Sequence, residues 1–352
     1  MNIMYATDDN YAEICGVSLE SLLENNKAVE DIMIFIVVDG VSQRNAEKLK
    51  RTAEKYDRKI VFIPKPDIRK LTGTDLLTLR WSDSAFSRLY LDLVFKDYPD
   101  VKKLLYLDCD TMILDILEPL WNIDISNCLG AAVLECMGDW HKKIVGSKAT
   151  DHFFNSGVML LNVEEWKKER VGQRCTDFIK ARKGKIEYVD QGVINGVLVR
   201  ELKVVDSPRY NLTALSWDFT YEEMQIYRKP HHGYSKSSWE EAKKNPAIIH
   251  FTTSFLSTRP WFEGSRTPWT GEWRKYRENS EWKDEPSRIM KDRASHDRII
   301  RMFNKLPRKM AVGIAGMLHA YAKPAVFALK NGMNIKSLKN EKMFEQNGGY
   351  CA

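Results

Sequence analysis

The sequence predicts an α/β protein: a mostly parallel sheet covered by helices on both faces. Two observations carry this. Short apolar, β-rich runs alternate with helical patterns through the first two-thirds of the chain. The runs are continuous rather than alternating, as in strands buried on both sides. The 352 residues, 43% hydrophobic and 29% charged, provide for one large domain or two ordinary ones. That composition excludes a disordered chain, a collagen and a coiled coil.

Taken in order, Ile3–Ala6 is a strand that runs into a polar loop, Thr7 to Tyr11. Val17 to Leu23 is helical. The run DIMIFIVV, Asp31–Val38, is a buried strand because its β-branched residues suit a pleated, covered surface. Ser42 to Tyr56 is a helix with a polar face, and Lys59–Ile63 a further strand. Leu104–Leu107 is a strand stopped by Asp108, Cys109 and Asp110. Leu129–Leu134, Val158–Leu161, Leu202–Val205 and Ala247–Phe251 complete the strands. Glu164 to Arg182 reads as one amphipathic helix, and Trp217–Ser238 as an ordered long loop.

After about Glu285 the pattern changes. Ile299, Met302, Phe303 and Leu306 fall at i, i+3, i+4 and i+7, with Arg298, Arg301, Lys305, Arg308 and Lys309 around them. That is a basic amphipathic helix. Residues 286–330 carry ten Lys/Arg against two Asp/Glu, so the rest of the chain nets −2 of the total +6. A near-neutral body gives nucleic acid no broad cationic face. The tail fits either a helix docked on the core or an interfacial helix on an anionic membrane, and the apolar Met310–Leu318 after it favours the membrane. Met310 to Leu329 is the nearest approach to a membrane span, but His319, Lys323 and Pro324 interrupt it. The first residues lack a charged region followed by an apolar one, so no signal peptide is expected. Six scattered cysteines show no zinc or disulfide framework, which points to a reducing compartment.

Four short elements can carry chemistry. Asp108 and Asp110 stand one residue apart after an apolar strand, where ligands sit in open α/β sheets. In extended backbone both carboxylates face one side and can close on a divalent cation. Asn155-Ser156-Gly157 enters the run VMLLN. Tyr188-Val189-Asp190-Gln191-Gly192 sets an acid beside an amide, as a helix cap or as groups that bind substrate. His250 ends a strand, with Arg259-Pro260-Trp261 following. Two carboxylates and one imidazole suit Mn²⁺ better than Ca²⁺.

In this order the elements resemble glycosyltransferase family 8. Ala6-Thr7-Asp8-Asp9-Asn10-Tyr11 is similar to the family's A-x-D-x-N-Y loop. The likeness continues through Arg88, Leu105-Tyr106-Leu107-Asp108-Cys109-Asp110, Phe154-Asn155-Ser156-Gly157-Val158, Asp190-Gln191, His250 and Arg259-Pro260-Trp261, covering residues 1–275. Within the family it is nearest the bacterial lipo-oligosaccharide and lipopolysaccharide galactosyl- and glucosyltransferases, with glycogenin more distant.

The resemblance implies a GT-A fold, a mixed central sheet flanked by helices, over a catalytic domain at 1–285. A basic, mainly helical extension follows at 286–352. It further implies a UDP-galactose or UDP-glucose donor, Mn²⁺ (with Mg²⁺ as the alternative) and retention of anomeric configuration. Asp108, Asp110 and His250 would hold the metal. Ala6, Asp8, Asn10, Tyr11, Cys109 and Arg259 would hold the nucleotide, with Tyr11 on the base and Cys109 contributing its backbone. Arg88, Glu135, Asn155, Asp190 and Gln191 would contact the donor sugar, with Gln191 or Asp190 supporting the reacting carbon. Glu135 stands where relatives often carry Asp, and Arg259 where they often carry Lys. The stretch between His250 and Arg259, with Thr252, Thr253 and Ser254, is longer than in the lipo-oligosaccharide enzymes.

Acceptors would be saccharides or lipid-linked saccharides of the cell envelope, met at the cytoplasmic face of the membrane. Two other classes remain: a sugar-nucleotide nucleotidyltransferase, and a non-catalytic carbohydrate-binding protein. The loop Thr7-Asp8-Asp9-Asn10-Tyr11 has neither the glycines nor the basic residue of the first.

Overall fold

A computed structural model describes residues 1–76, 83–334, 338 and 351. Ten strands are named: β1 (Asn2–Asp8), β2 (Met33–Asp39), β3 (Lys59–Pro64), β4 (Lys103–Leu107), β5 (Thr111–Ile113), β6 (Gly130–Leu134), β7 (Phe154–Asn162), β8 (Leu202–Val204), β9 (Leu212–Thr213) and β10 (Ile248–His250). Seven form one sheet in the order β3-β2-β1-β4-β7-β6-β8. β1 pairs parallel with both β2 and β4, whereas β7 runs antiparallel to β4 and β6. The sheet is therefore mixed, and β7 is its one reversed strand among those described. A second sheet, β5-β10-β9, lies beside it.

The long runs bury as their composition requires. Ile34, Ile36 and Val37 of β2 are fully buried, each contributing roughly 1.5–3 kcal/mol over an exposed position. The two faces hold separate cores, one around Ile3, Tyr5 and Leu105, the other around Met4, Phe35 and Tyr106. Helix Ala12–Asn25 covers the first face, and Trp282 lies across it: a Cβ on Gly16 would stand 2.0 Å from the Trp282 ring. Helix Gln43–Glu54 begins where Ser42 accepts from the Asn45 amide, a cap worth about 1 kcal/mol.

Three stretches differ from expectation. Glu164–Arg182 is two helices, Val163–Lys168 and Val171–Ala181, broken at Arg170 with φ of 51°. The break lets Trp166 on one side and Val171, Cys175 and Ile179 on the other all reach the core. Trp217–Ser238 is not a loop, because helices Leu215–Asp218, Tyr221–Arg228 and Lys236–Lys244 occupy most of it. Its signal was present: Thr220 and Glu223 form a reciprocal capping box. Third, Cys128 and Cys351 form a disulfide with Cα atoms 5.9 Å apart, a pair 223 positions apart in sequence that no spacing rule reveals. Cys15, Cys109, Cys136 and Cys175 are free and buried.

The C-terminal segment is helical, in Arg293–Asn304 and then a continuous 23-residue helix, Arg308–Lys330. His319, Lys323 and Pro324 lie within that helix instead of ending it, and it is long and apolar enough to cross a membrane by length and composition alone. Its inner face is small: Ala311, Val312, Gly316, Ala320, Pro324 and Ala328 are buried. A Cβ on Gly316 would stand 2.5 Å from the Ile226 carbonyl, so helix Tyr221–Arg228 touches backbone there. The outer face leaves Ile299, Met302, Met310, Ile314, Met317, Leu318 and Leu329 exposed.

Candidate active site

The chain runs β1 to β2 to β3 in one direction and then returns to the other side of β1 with β4. That reversal opens a crevice outside the carboxyl ends of β1 and β4, the place where open α/β sheets bind ligands. Asp8 ends β1, and Asp108 follows β4 directly.

Asp108 and Asp110 do not sit in extended backbone. They lie in a turn closed by the Thr111 amide on the Asp108 carbonyl, 3.2 Å. They nonetheless converge, because His250 at the end of β10 stands between them. Its Nε2 is 3.6 Å from Asp108 Oδ2 and 3.2 Å from Asp110 Oδ1. One ligand atom from each of the three lies within 4.8 Å of the others. His250 Nδ1 faces the Asn211 side-chain oxygen at 2.9 Å. That bond leaves Nε2 for the carboxylates, which is how metal-binding imidazoles are oriented. A Cβ on Gly157 would fall 2.2 Å from His250 Cε1 and 2.7 Å from Asp108 Oδ2. Glycine is therefore required by the space, and the Asp108 amide bonds to its carbonyl at 2.7 Å. Two carboxylates, one oriented imidazole and a cleared side fit a divalent cation.

Two arginines balance the charge. Arg88 is buried and donates to Asp108 Oδ1 at 2.7 Å and to the Ser156 carbonyl at 2.5 Å; its Nε lies 3.3 Å from Asp190. It also lies over the Tyr106 ring, whose hydroxyl donates to Asp108 Oδ1 at 2.9 Å. Arg259 reaches Asp110 Oδ2 at 3.2 Å, the Tyr11 hydroxyl at 2.6 Å and the Thr253 hydroxyl at 3.2 Å. Burial pushes the Asp110 carboxyl upward, but His250 and Arg259 outweigh it and hold it below its usual range. Burial alone would lower His250, and the two aspartates raise it instead. Asp190 is different: its burial dominates and raises it, Arg88 notwithstanding.

Around this centre stand the other predicted residues. Ala6 lies in β1, where its carbonyl accepts from the Cys109 thiol at 3.2 Å, so the thiol itself is engaged. Asp8 accepts from the Tyr11 amide at 3.0 Å, and Tyr11 precedes helix Ala12–Asn25. Asn10 is exposed in the turn between them. Asn155 lies inside β7, not before it. It donates to Glu135 at 2.8 Å and accepts from the Gly157 amide and from Asn211, both at 2.9 Å. Asp190 and Gln191 open helix Val189–Val197, and Gln191 Oε1 accepts from the Ser156 amide at 3.2 Å. In the stretch between His250 and Arg259, the Thr252 hydroxyl accepts from the Ala214 amide and Ser254 bonds Asp218, while Phe255 meets Phe303 of the C-terminal arm edge to face.

Asn211, Asn195 and Arg228 escaped the sequence reading. Asn195 is fully buried and clamps the Phe154 backbone from both sides, at 2.7 and 2.9 Å. Arg228 stands 3.5 Å from Glu135. Each is a single polar residue in an ordinary stretch, and only its burial marks it. The turn before Asp190 is strained: Tyr188 and Val189 have φ of 63° and 56°. A β-branched residue there is an outlier, and each such residue costs about 1–3 kcal/mol.

The family profile described as Glycosyl transferase family 8 matches residues 2–264. General stress protein A of Bacillus subtilis (strain 168) is 25% identical over 284 residues, covering 80% of this chain and 94% of that one. The lipopolysaccharide 1,2-glucosyltransferase of Escherichia coli (strain K12) is 26% identical over 298 residues, 83% and 81% of the two chains. The solved structure of the galactosyltransferase LgtC, in complex with donor and acceptor sugar analogs, superposes with a TM-score of 0.67 at 20% identity, covering 84% of this chain and 100% of that one. That likeness gives the GT-A fold. With the profile spanning three-quarters of its length, this chain belongs to glycosyl transferase family 8.

Proposed function

We propose that the protein is a hexosyltransferase that moves galactose or glucose from a UDP-sugar to a saccharide acceptor, with retention of configuration. The observation that carries it is the convergence of Asp108, Asp110 and His250 beside Arg259, at the crevice between β1 and β4. Lipopolysaccharide glycosyltransferases among its relatives support a cell-envelope saccharide as acceptor. Family membership displaces the nucleotidyltransferase and non-catalytic readings.

Asp108, Asp110 and His250 would hold Mn²⁺, or Mg²⁺, which when bound supplies positive charge to the diphosphate. Ala6, Asp8, Asn10, Tyr11 and the Cys109 backbone line the nucleotide side. Arg259 stabilises charge on the departing diphosphate; its planar fork already spans Asp110, Tyr11 and Thr253. Arg88, Glu135, Asn155, Asp190 and Gln191 orient the donor sugar. The bond from the anomeric carbon to the phosphate oxygen breaks, and the acceptor oxygen bonds on the same face. Its proton passes to the leaving phosphate. The reacting carbon becomes oxocarbenium-like. Gln191 presents a carbonyl to it and, as an amide, is a poor nucleophile. Asp190 is the rival, but it is 7% exposed and engaged by Arg88. Gln191 is the more accessible of the two.

Residues 1–285 constitute the catalytic domain and 286–352 its basic extension. The outer face of Arg293–Lys330 lies on the cytoplasmic face of an anionic membrane. Exposed Met302, Ile314 and Met317 are accompanied by Arg298, Arg301, Lys305 and Lys309. The packed inner face supports lying on the surface rather than crossing it.

UDP release from a panel of UDP-sugars, with and without Mn²⁺, tests the reaction. One sugar is turned over, only with metal and only by an enzyme that keeps Asp110. A covalent glycosyl adduct on Gln191 or Asp190 overturns front-face transfer. Failure to bind UDP at all overturns the reading.

A further inference from the structure

The strained turn that presents Asp190 and Gln191 is pinned from outside the crevice. His141, fully buried in helix Asp139–Val145, places Nδ1 2.9 Å from Glu187 Oε2. Its Nε2 stands 2.9 Å from the backbone carbonyl of His319. The His319 carbonyl only accepts, so Nε2 donates to it, and Nδ1 lies against the Glu187 carboxyl group. The His319 carbonyl belongs to Leu318–Ala322, a π-helical turn inside the long C-terminal helix. Such turns free a carbonyl from the regular ladder and are often found at functional places.

Other contacts converge on the same turn. The Tyr188 ring lies 5.4 Å from His141, and Lys323 of the C-terminal helix donates to the Tyr188 hydroxyl at 3.2 Å. A Cβ on Gly192 would stand 2.0 Å from the Glu187 carbonyl, so the turn is folded tightly back on its own helix. Two consecutive non-glycine residues in the left-handed region persist only where surroundings over-determine them. Here those surroundings are His141 and the C-terminal helix.

We propose that His141 is a positioning residue. Through Glu187 it holds the Tyr188–Val189 turn so that Gln191 faces the donor sugar, with the C-terminal helix as its anchor. The helix thereby supports catalysis from a face opposite to the one assigned to the membrane. This rests on the role proposed above for Gln191.

Two amide substitutions separate the bonds, because Asn places its nitrogen near Nδ1 and Gln near Nε2. His141→Asn keeps the bond to Glu187, and His141→Gln keeps only the bond to His319. Each is measured in the full chain for UDP affinity with Mn²⁺, for kcat and donor KM of UDP release, and for hydrogen exchange of the segment 187–197. The expected result is that His141→Gln lowers kcat about 10²-fold with UDP affinity within twofold, on the scale of a 1 Å misplacement. Exchange in 187–197 accelerates alongside. His141→Asn retains kcat within about threefold, as expected if the retained bond carries most of that effect. Equal behaviour of the two variants, in kcat and in exchange, overturns the proposal. If Gln191→Ala leaves kcat unchanged, the role of Gln191 fails instead, and the exchange comparison still decides whether His141 pins the turn. Should His141→Gln fail to fold, Glu187→Met removes the acceptor from the other side of the pair at similar volume, and unchanged exchange there overturns the pin.

Discussion

The crevice at β1 and β4 and the C-terminal arm are organised in opposite ways. In the crevice the charges are buried or half-buried and most are answered: Asp108 by Arg88, Asp110 by Arg259 and His250, and Glu135 by Arg228. Along the outer face of the arm, apolar side chains are exposed, and Arg298, Arg301, Lys305 and Lys309 stand in solvent. A buried charge without a partner is costly, so the crevice tolerates little change. An exposed apolar face costs little in water alone but signals a partner when it is continuous. The crevice is specified by geometry that spans the chain, the arm by a local pattern.

The largest expected effect falls on the crevice. Asp110→Ala removes a proposed cation ligand and strands His250 and Arg259. Donor turnover should fall by about 10³-fold or more, consistent with several kcal/mol at ~1.4 kcal/mol per decade. Turnover within tenfold of wild type would break the contrast at its strongest point. Gly157→Ala should lower turnover about 10²-fold, since its methyl group must displace His250 or Asp108. A Mn²⁺ titration should show weaker binding, and unchanged affinity would show that the glycine serves only the strand. Arg259→Lys keeps the charge but loses the fork to Tyr11 and Thr253. UDP affinity measured by calorimetry should weaken about tenfold, the scale of one charge-assisted hydrogen bond.

Changes to the arm should leave the crevice alone. Ile314→Glu combined with Met317→Glu should reduce binding to anionic vesicles about tenfold or more, from lost apolar burial and added negative charge. Release of UDP in solution should stay as in wild type. Binding that ignores both the substitution and the salt concentration would remove the membrane from the comparison. The smallest effect is on the inner face. Gly316→Ala puts a methyl group against the Ile226 carbonyl and should cost roughly 1–3 kcal/mol. A thermal melt would show it as a drop of several degrees.

Legibility in the sequence followed the range over which each feature is encoded. β2, with its seven consecutive apolar residues, was read to within two residues at each end. Asp108, Asp110 and His250 were named because the aspartates follow one apolar strand and the histidine ends another. The two-helix break at Arg170 was missed because the apolar periodicity continues on both sides of it. Asn211 was missed because an asparagine gains meaning only when its carbonyl meets a histidine 39 positions away. Which strand of the mixed sheet is reversed was likewise invisible, because buried strands have the same composition in either direction.

By itself the sequence determined the alternation of strands and helices, the acids and imidazole at strand ends, and the basic amphipathic arm. These are local, since periodicity and strand termination need only neighbours in the chain. Tertiary structure decided which residues meet. It placed β4 beside β1 and so opened the crevice, and it set His250 between two aspartates more than a hundred residues earlier. It also chose the small face of the C-terminal helix for burial, with Gly316 alone allowing the close backbone approach at Ile226, and that choice left the large apolar side chains outside.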